Sequence, residues 1–553
     1  MHLLNYFPEL SSHPVNAQKL KGLILQLAVQ GRLTADWRQA NPKVEPASEL
    51  LKRIAAEKAE LIKAKKIKKE KPLPAIIAEE ILYQLPEGWE WCRMVDICYK
   101  ITDGFHNSPP KVKQGIPYIL STHVKSDNID WDHCFYVEEK YHLELYNKSY
   151  PQKGEILLVN IGAGCGTPAI IDVDYEFSFK NSAILKQASC ISSKYLFLFL
   201  LNIKSFILND ITQGGAQPYL SLKMIKNIIF PLPPLPEQKA IVTIVEQLFQ
   251  EAEQLEALTA KRVTVQQKLA QAALHQMLHQ DLAKGWQMVS QNFGELFKTK
   301  ASVQQLRESI LQLAVQGKLT TQWRQQNPDA ESARELLKRI AAEKTELIKA
   351  KKIKKEKPLS AITAEEIPYG LPEGWEWCRF SEIVINRDGE RIPVSREDRV
   401  KRQGKYDYYG ASGVIDKIDD FLFDKDLLLI GEDGANLINR STPIAFFARG
   451  KYWVNNHAHV IDATHFIILE YLRVFINSIS LEAYVTGTAQ PKLSQKKMNL
   501  IKTPLPPLPE QKAIVAQVDR LMVLCDVLEG SIGKREQTLE DWMASVLVEV
   551  GKG

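Results

Sequence analysis

The chain has 553 residues, 45% hydrophobic and 25% charged, with a formal net charge of +5. At roughly 150 residues per domain this length predicts three or four folding units, and the composition excludes disordered, collagenous and membrane classes. Seven scattered cysteines without a C-x-x-C exclude a disulfide framework and a zinc site, and the opening MHLLNYFPEL carries no secretory leader, so the expected compartment is the cytoplasm.

Ala17, Leu20, Ile24 and Leu27 recur at helical spacing and predict an amphipathic helix ending near Gly31. A second helix is expected from a cap at Ser48, with Leu51, Ile54, Leu61 and Ile62 on one side, stopped by Pro72. LPEGWEWCR then reads as a turn into a strand. From Met94 to Gly215 the pattern is that of an α/β head, with a strand-like GEILLVNIGAGCGTPAIID and a buried-helix-like KYLFLFLLNIKSFI. PLPPLPEQ reads as an extended segment whose Pro236 suits a first helical turn, and a helix is expected from Glu237 to Lys284.

The same order then returns. Ile24–Arg93 matches Ile310–Arg379 without a gap at 57 of 70 positions, and AQPYLSLKMIKNIIFPLPPLPEQKAIV from Ala216 matches AQPKLSQKKMNLIKTPLPPLPEQKAIV from Ala489. The second copy therefore predicts helices opening at Val303 and running from Ala333 to Lys357 before Pro358. A second α/β head follows (DLLLIGED, PIAFFA, KYWVNNHAHVID, HFIILEYLRVFI), and then a last long helix over Glu510–Val550. Between the shared blocks the two heads share no sequence resemblance. Flanks that stay nearly identical while the middles diverge suggest one scaffold presenting two different heads.

Catalytic motifs are absent. Gly162, Gly164 and Gly166 in NIGAGCGTP lead into a strand-like run and not a helix, so a hairpin is favoured over a dinucleotide loop. NSPPK lacks the residues of an amino-methyltransferase motif, no G-x-x-x-x-G-K-[ST] occurs, and Asp329 is Lys43 in the other copy. His275 with His279, and His457 with His459, have no cysteine or carboxylate set at ligand spacing, so no metal site is predicted. Lys52–Lys71 and Lys338–Lys357 each carry net +6, leaving the rest of the chain at −7. These tracts are read either as solvated helix faces or partly disordered linkers, or as phosphate contacts, and their duplication near the two heads favours nucleic acid.

The paired ILQLAVQG(R/K)L, LPEGWEW and PLPPLPEQKAIV blocks, with two private regions and a long helix after each, resemble the DNA-specificity subunits of type I restriction-modification systems. ITDGFHNSPPKVKQGIPYI in the first head, and YYGASGVIDKI with KYWVNNHAHVI in the second, resemble phrases of that family's target recognition domains. The resemblance implies an α+β chain in which two α/β target recognition domains are separated by long antiparallel helices, with an internal pseudo-two-fold repeat. Its segments would be 1–84, a helical repeat copy; 85–236, the first recognition domain; 237–300, a long helix; 301–370, the second repeat copy; 371–509, the second recognition domain; and 510–553, the last helix. It further implies a non-catalytic chain that reads one half of a bipartite DNA target with each head. The expected partners are two methyltransferase subunits and the motor-nuclease subunits, with S-adenosylmethionine, ATP and Mg bound by those partners and no cofactor or metal in this chain. The alternative is a helical adaptor or structural DNA-binding protein outside restriction-modification.

On that reading, polar side chains on strand-linked loops reach base edges while basic ones take phosphates. Candidates in the first head are His106, Ser108, Lys111, Lys113, Asn160, Thr167, Asn181 and Gln217. In the second they are Arg387, Arg391, Tyr408, Ser412, Glu432, Asn436, Asn455, Asn456, His457 and Gln490. Ile241, Leu248, Leu255, Ile514, Leu521 and Leu528 are the expected partner contacts on the long helices.

Overall fold

The computed structural model describes residues 16–105, 108–212, 218–487 and 490–552. The chain divides into two compact units, one of Met1–Val263 with Gln537–Gly553 and the other of Thr264–Glu536. Among the described residues no helix is long and apolar enough to cross a membrane. All seven cysteines are free, and six of them are buried.

In the first unit, helix α1 (Asn16–Val29) ends at Gly31, which adopts φ 70°. Its counterpart Gly317 closes the matching helix of the second copy at φ 69°. Both sites need glycine: a Cβ at Gly31 would lie 2.7 Å from Pro86 and 2.9 Å from Trp89. Helix α2 (Ala47–Lys63) is led in by Pro46, with Ser48 inside its first turn, so the expected Ser48 cap is not used. The reason is visible in the repeat, where Arg334 stands at that position and Ala333 N–H is bonded to Gly374 O just as Ala47 N–H is to Gly88 O. The helix also stops well before Pro72. Lys65 takes φ 56° and Lys351 takes φ 55°, and the Lys65 and Lys66 N–H groups bond back to Ile62 and Leu61. This is a left-handed C-terminal closure. The last eight residues of each basic tract therefore lie beyond the helix, with their lysines exposed.

The first head holds a four-stranded sheet ordered β2-β8-β5-β6 (Cys98–Asp103, Ser182–Gln187, Ile156–Val159, Pro168–Ile170). Beside it lies a three-stranded sheet, β4-β3-β7 (Phe135–Val137, Ile116–Ile119, Ser178–Phe179). The second head repeats this plan with unrelated residues. Its first sheet is β11-β18-β15-β16 (Val384–Asn386, Ala458–Ala463, Leu427–Gly431, Ala445–Ala448), and its second is β13-β12-β17-β14 (Gly413–Ile418, Tyr406–Gly410, Lys451–Val454, Phe423–Asp424). In both heads the second sheet contains one parallel pair, β3 with β7 and β12 with β17, and β14 is an extra strand of the second head. The glycine-rich NIGAGCGTP is the connection of the antiparallel pair β5–β6, as the hairpin reading expects.

Each head is flanked by a two-stranded ribbon made of shared sequence. β1 (Glu90–Arg93) pairs with β9 (Ile229–Leu232), and β10 (Glu376–Arg379) pairs with β19 (Lys502–Leu505). Pro231 and Pro504 sit on these ribbons, where only one edge is used. The long helix α3 (Leu235–His279) follows the first ribbon, and α6 (Leu508–Lys552) follows the second. Between them lie α4 (Leu282–Leu296), which begins at the Asp281 cap and ends α3 earlier than Lys284, and α5 (Lys300–Val315). Each long helix crosses from one unit into the other, at Thr264 and at Gln537. Within the second unit, Ala270, Ala273, Leu274 and Met277 of α3 share a buried cluster with Leu296, Phe297 and Leu313, and Leu528 of α6 packs on it.

Candidate nucleic-acid interface

The site is built on a knot that the shared blocks tie twice. Glu237, 1% exposed in the first turn of α3, accepts from Thr34 Oγ1 at 2.6 Å, from Arg38 Nη1 at 2.5 Å and from Trp89 Nε1 at 2.9 Å. Glu510 accepts from Thr320, Arg324 and Trp375 at 2.7, 2.6 and 2.8 Å. The next residue ties in the head: Gln238 Oε1 accepts from Ser192 N at the start of a head helix, and Gln511 Oε1 accepts from Ile468 N. A buried carboxylate persists only when its lone pairs are occupied. The carboxylate and the residues that fill its lone pairs thus tie the PLPPLPEQ block to the Ile24–Arg93 block. A second tie joins Arg93 to Glu80 and Arg379 to Glu366, both at 3.0 Å.

On this base the first head gathers several of its predicted residues at the end of β5. Asn160 N–H bonds to Asn181 O, Val159 N–H bonds to Thr167 O, and Asn181 adopts φ 59°. Lys180 Nζ donates to the exposed Ser108 Oγ at 2.7 Å, which brings a cation to the same rim. Asn160 and Thr167 are buried, and Asn160 Oδ1 has no hydrogen-bond partner among the described residues. Lys111 lies over the Phe135 ring at 3.2 Å and Lys113 is exposed; both stand on the loop that leads into β3. His106 and Gln217 lie outside the described residues.

In the second head the structure corrects several candidates. Tyr408 is fully buried, its hydroxyl bonded to the backbone of Val394, so it belongs to the core. Asn455 is buried and its Oδ1 caps His457 N. Asn436 is used in closing its own loop through Thr442 and Ser441. Arg387 pairs with Asp462 at 2.8 Å, and Arg391 pairs with the buried Glu432 at 2.7 Å and with Ala458 O at 2.6 Å. These polar groups hold the loops together, and polar character on a strand-linked loop does not distinguish a loop clasp from a loop tip. Ser412, Asn456, His457 and Gln490 are exposed. His457 Nδ1 is 2.7 Å from Asp433.

One cluster escapes any reading by local spacing. Asp388, Glu432 and His459 bring ligand atoms within 4.8 Å of one another. Both ring nitrogens of His459 face acceptors, Asp388 Oδ2 at 2.6 Å and Leu493 O at 2.7 Å, and Glu432 is paired with Arg391 and Lys492. With its lone pairs so used, the cluster is an ion-pair network and not a cation site. Burial pushes the Asp388 carboxyl up, but the hydrogen bond from His459 and the nearby Arg391 charge outweigh it and hold it below the ordinary value.

The basic tracts divide in the same way. Lys58 is drawn inside to Val95 O, and Lys344 to Ser381 O and Val384 O; burial lowers the pKa of both. Lys65, Lys66, Lys68, Lys69 and Lys71 stay exposed, as do Lys351, Lys352, Lys354, Lys355 and Lys357. On the long helices Ile241 and Ile514 are fully buried in the cores of their own units, which removes them as partner contacts. Leu248, Leu255, Leu521 and Leu528 are partly buried. Among the described residues, the large apolar side chains of these helices that face solvent are Leu258, Val265, Leu269, Val523, Leu524 and Val527; the last three are not among the residues expected as partner contacts.

Comparison with known proteins finds a family model, the type I restriction modification DNA specificity domain, matching residues 86–263 and 372–533. Two relatives from Escherichia coli are similar along nearly the whole chain. The type I restriction enzyme EcoAI specificity subunit is 33% identical, with 94% of this chain and 91% of that protein covered. The EcoEI specificity subunit is 31% identical with the same coverage. Among solved structures, the HsdS subunit from Thermoanaerobacter tengcongensis aligns over 85% of this chain and 98% of its own at 15% identity, with a TM-score of 0.40.

Proposed function

The chain belongs to the family of type I restriction-modification DNA specificity subunits, and from that premise we propose that its two heads read the two halves of one bipartite DNA target. The observation that carries this reading is the pairing of two heads of unrelated sequence, whose first sheets have the same strand order, with a scaffold repeated nearly residue for residue. Equal folds give equal docking geometry; unrelated surfaces give different base preferences. The long helices then set the gap between half-sites, and their exposed apolar residues take the helices of two methyltransferase subunits. The exposed lysines of 65–71 and 351–357 engage phosphates. S-adenosylmethionine, ATP and Mg belong to the methyltransferase and motor-nuclease partners, and this chain contributes recognition without catalysis.

Reconstituting the chain with its methyltransferase subunits and mapping methylated adenines on genomic DNA tests this. The expected product is a split motif with two specific parts and a fixed gap. Methylation without a bipartite motif contradicts the half-site reading, and a gap unchanged after inserting one turn, about 5.4 Å, in both long helices contradicts the ruler.

A further inference from the structure

The third shared block opens with six residues that differ at one position: AQPYLS at Ala216–Ser221 and AQPKLS at Ala489–Ser494, with Tyr219 standing where Lys492 stands. The two backbone bonds that flank that position match in the two heads, and in the second Lys492 also pairs with Thr486. In the first, Gly162 N–H donates to Pro218 O at 2.9 Å and Leu220 N–H donates to Asn160 O at 2.8 Å, so Tyr219 bridges Ile161. In the second, Gly434 N–H donates to Pro491 O at 3.0 Å and Leu493 N–H donates to Glu432 O at 2.7 Å, so Lys492 bridges Asp433. Bonds that flank a residue pair in this way make it a non-hydrogen-bonded antiparallel pair, whose two side chains stand close together on one side of the ribbon.

Strand alternation decides where those side chains go. Leu220 and Leu493 are 0% exposed and anchor the segment in the core, whereas Tyr219 is 42% exposed and the Lys492 side chain 52%. Each pair also sits just beyond the end of the central strand, β5 or β15, at the rim where the first head gathers Ser108, Asn160 and Lys180. One backbone frame thus carries two chemistries: isoleucine with tyrosine in the first head, aspartate with lysine in the second. The charged pair is preset, Lys492 lying 3.2 Å from Glu432 and Asp433 lying 2.7 Å from His457. Elsewhere the two copies keep the same residue where it does the same structural work, as Glu237 and Glu510 do. Within these six residues the change from Tyr219 to Lys492 is the one difference, and although Lys492 pairs with Glu432 where the first head has Asn160, both side chains stay exposed at the rim.

We propose that Ile161 with Tyr219, and Asp433 with Lys492, are equivalent specificity-determining pairs through which the two heads read different bases. The inference rests on the half-site reading above. An ammonium donates to guanine O6 and N7 and a carboxylate accepts from the cytosine amino group, whereas tyrosine with isoleucine offers a thymine methyl an apolar contact and a neighbouring acceptor one hydroxyl.

The test uses the full chain with its methyltransferase subunits, comparing wild type with Y219K, I161D/Y219K, K492Y and D433I/K492Y. Readouts are the methylated motif and the binding of duplexes carrying single base substitutions in each half. Changes at Ile161 and Tyr219 are expected to alter base preference in one half-site only, with discrimination at the affected position falling about tenfold or more. Changes at Asp433 and Lys492 are expected to do the same in the other half-site. Y219F and K492M keep most of the side-chain bulk, and K492M leaves Glu432 its Arg391 partner; they carry the test if a larger change prevents folding. Variants that keep both half-sites unchanged overturn the proposal, as does a uniform loss of affinity for all duplexes with an unaltered motif. A wild-type complex that methylates no bipartite motif overturns the half-site reading instead.

Discussion

Trp89 Nε1 donates to Glu237 Oε2 across 148 residues of sequence, and Trp375 donates to Glu510 in the same way across 135. The heads differ in length between these fixed points, yet the ribbon that flanks each one is closed on the same buried carboxylate. The scaffold therefore accepts a head of different sequence without changing how that head is gripped.

Breaking this grip has a definite cost. Glu237→Ala leaves the Trp89 indole and the Arg38 guanidinium without their acceptor inside the first unit, and Glu510→Ala does the same in the second. Each is expected to destabilise its own unit by about 3–5 kcal/mol, seen by calorimetry as a lowered transition for that unit. A transition that does not move contradicts the role given to the carboxylate.

Gly317 supplies an independent check on the close packing of the same region. With φ 69° and a Cβ position 2.6 Å from Pro372 Cγ, Gly317→Ala meets both backbone strain and a clash. A loss of at least about 1–2 kcal/mol is expected. Gly294, where a Cβ meets nothing within 4 Å, is the control, and Gly294→Ala should cost far less.

Neutralising Lys65, Lys66, Lys68, Lys69 and Lys71 to glutamine should weaken DNA binding uniformly across sequences. Because the segment is exposed and lies outside the core, stability should not fall. The slope of log affinity against log salt is expected to drop by about 0.9 for each phosphate that is no longer neutralised. An unchanged slope assigns these lysines to solvent or to a partner.

The Asp388–His459 clasp predicts a pH dependence of definite sign. The folded-state pKa of Asp388 is depressed below 3.8, so its contribution to stability is complete above the ordinary aspartate range and is lost as pH falls through the lowered value. Thermal stability of the second unit should therefore fall on acidification below about pH 4, and Asp388→Asn should remove that part of the fall. Equal acid sensitivity in the variant contradicts the clasp.

Much of this architecture was legible in the residues. Duplication exposed the scaffold, glycines at 31 and 317 marked helix ends, and Pro236 marked the start of a long helix, because each of these signals is local. What escaped was set by contacts far apart in sequence. The lysine tracts read as continuous helix because no glycine marks the stop, and the left-handed turns at Lys65 and Lys351 close it instead. Tyr408 and Glu432 have the polar character of loop residues, yet Val394 and Arg391, 14 and 41 residues away, take them inside. The common strand order of the two heads left no trace in sequence, since burial on a sheet asks only for apolar residues at period two.

Exchanging the first head tests the central claim most directly. Residues 94–215 are replaced by the corresponding segment of a relative with a known target, the complex is reconstituted with its methyltransferase subunits, and methylated sites are mapped genome-wide. The expected result is a new base sequence in one half of the motif, with the other half and the gap unchanged. A motif altered in both halves, or in neither, would contradict it.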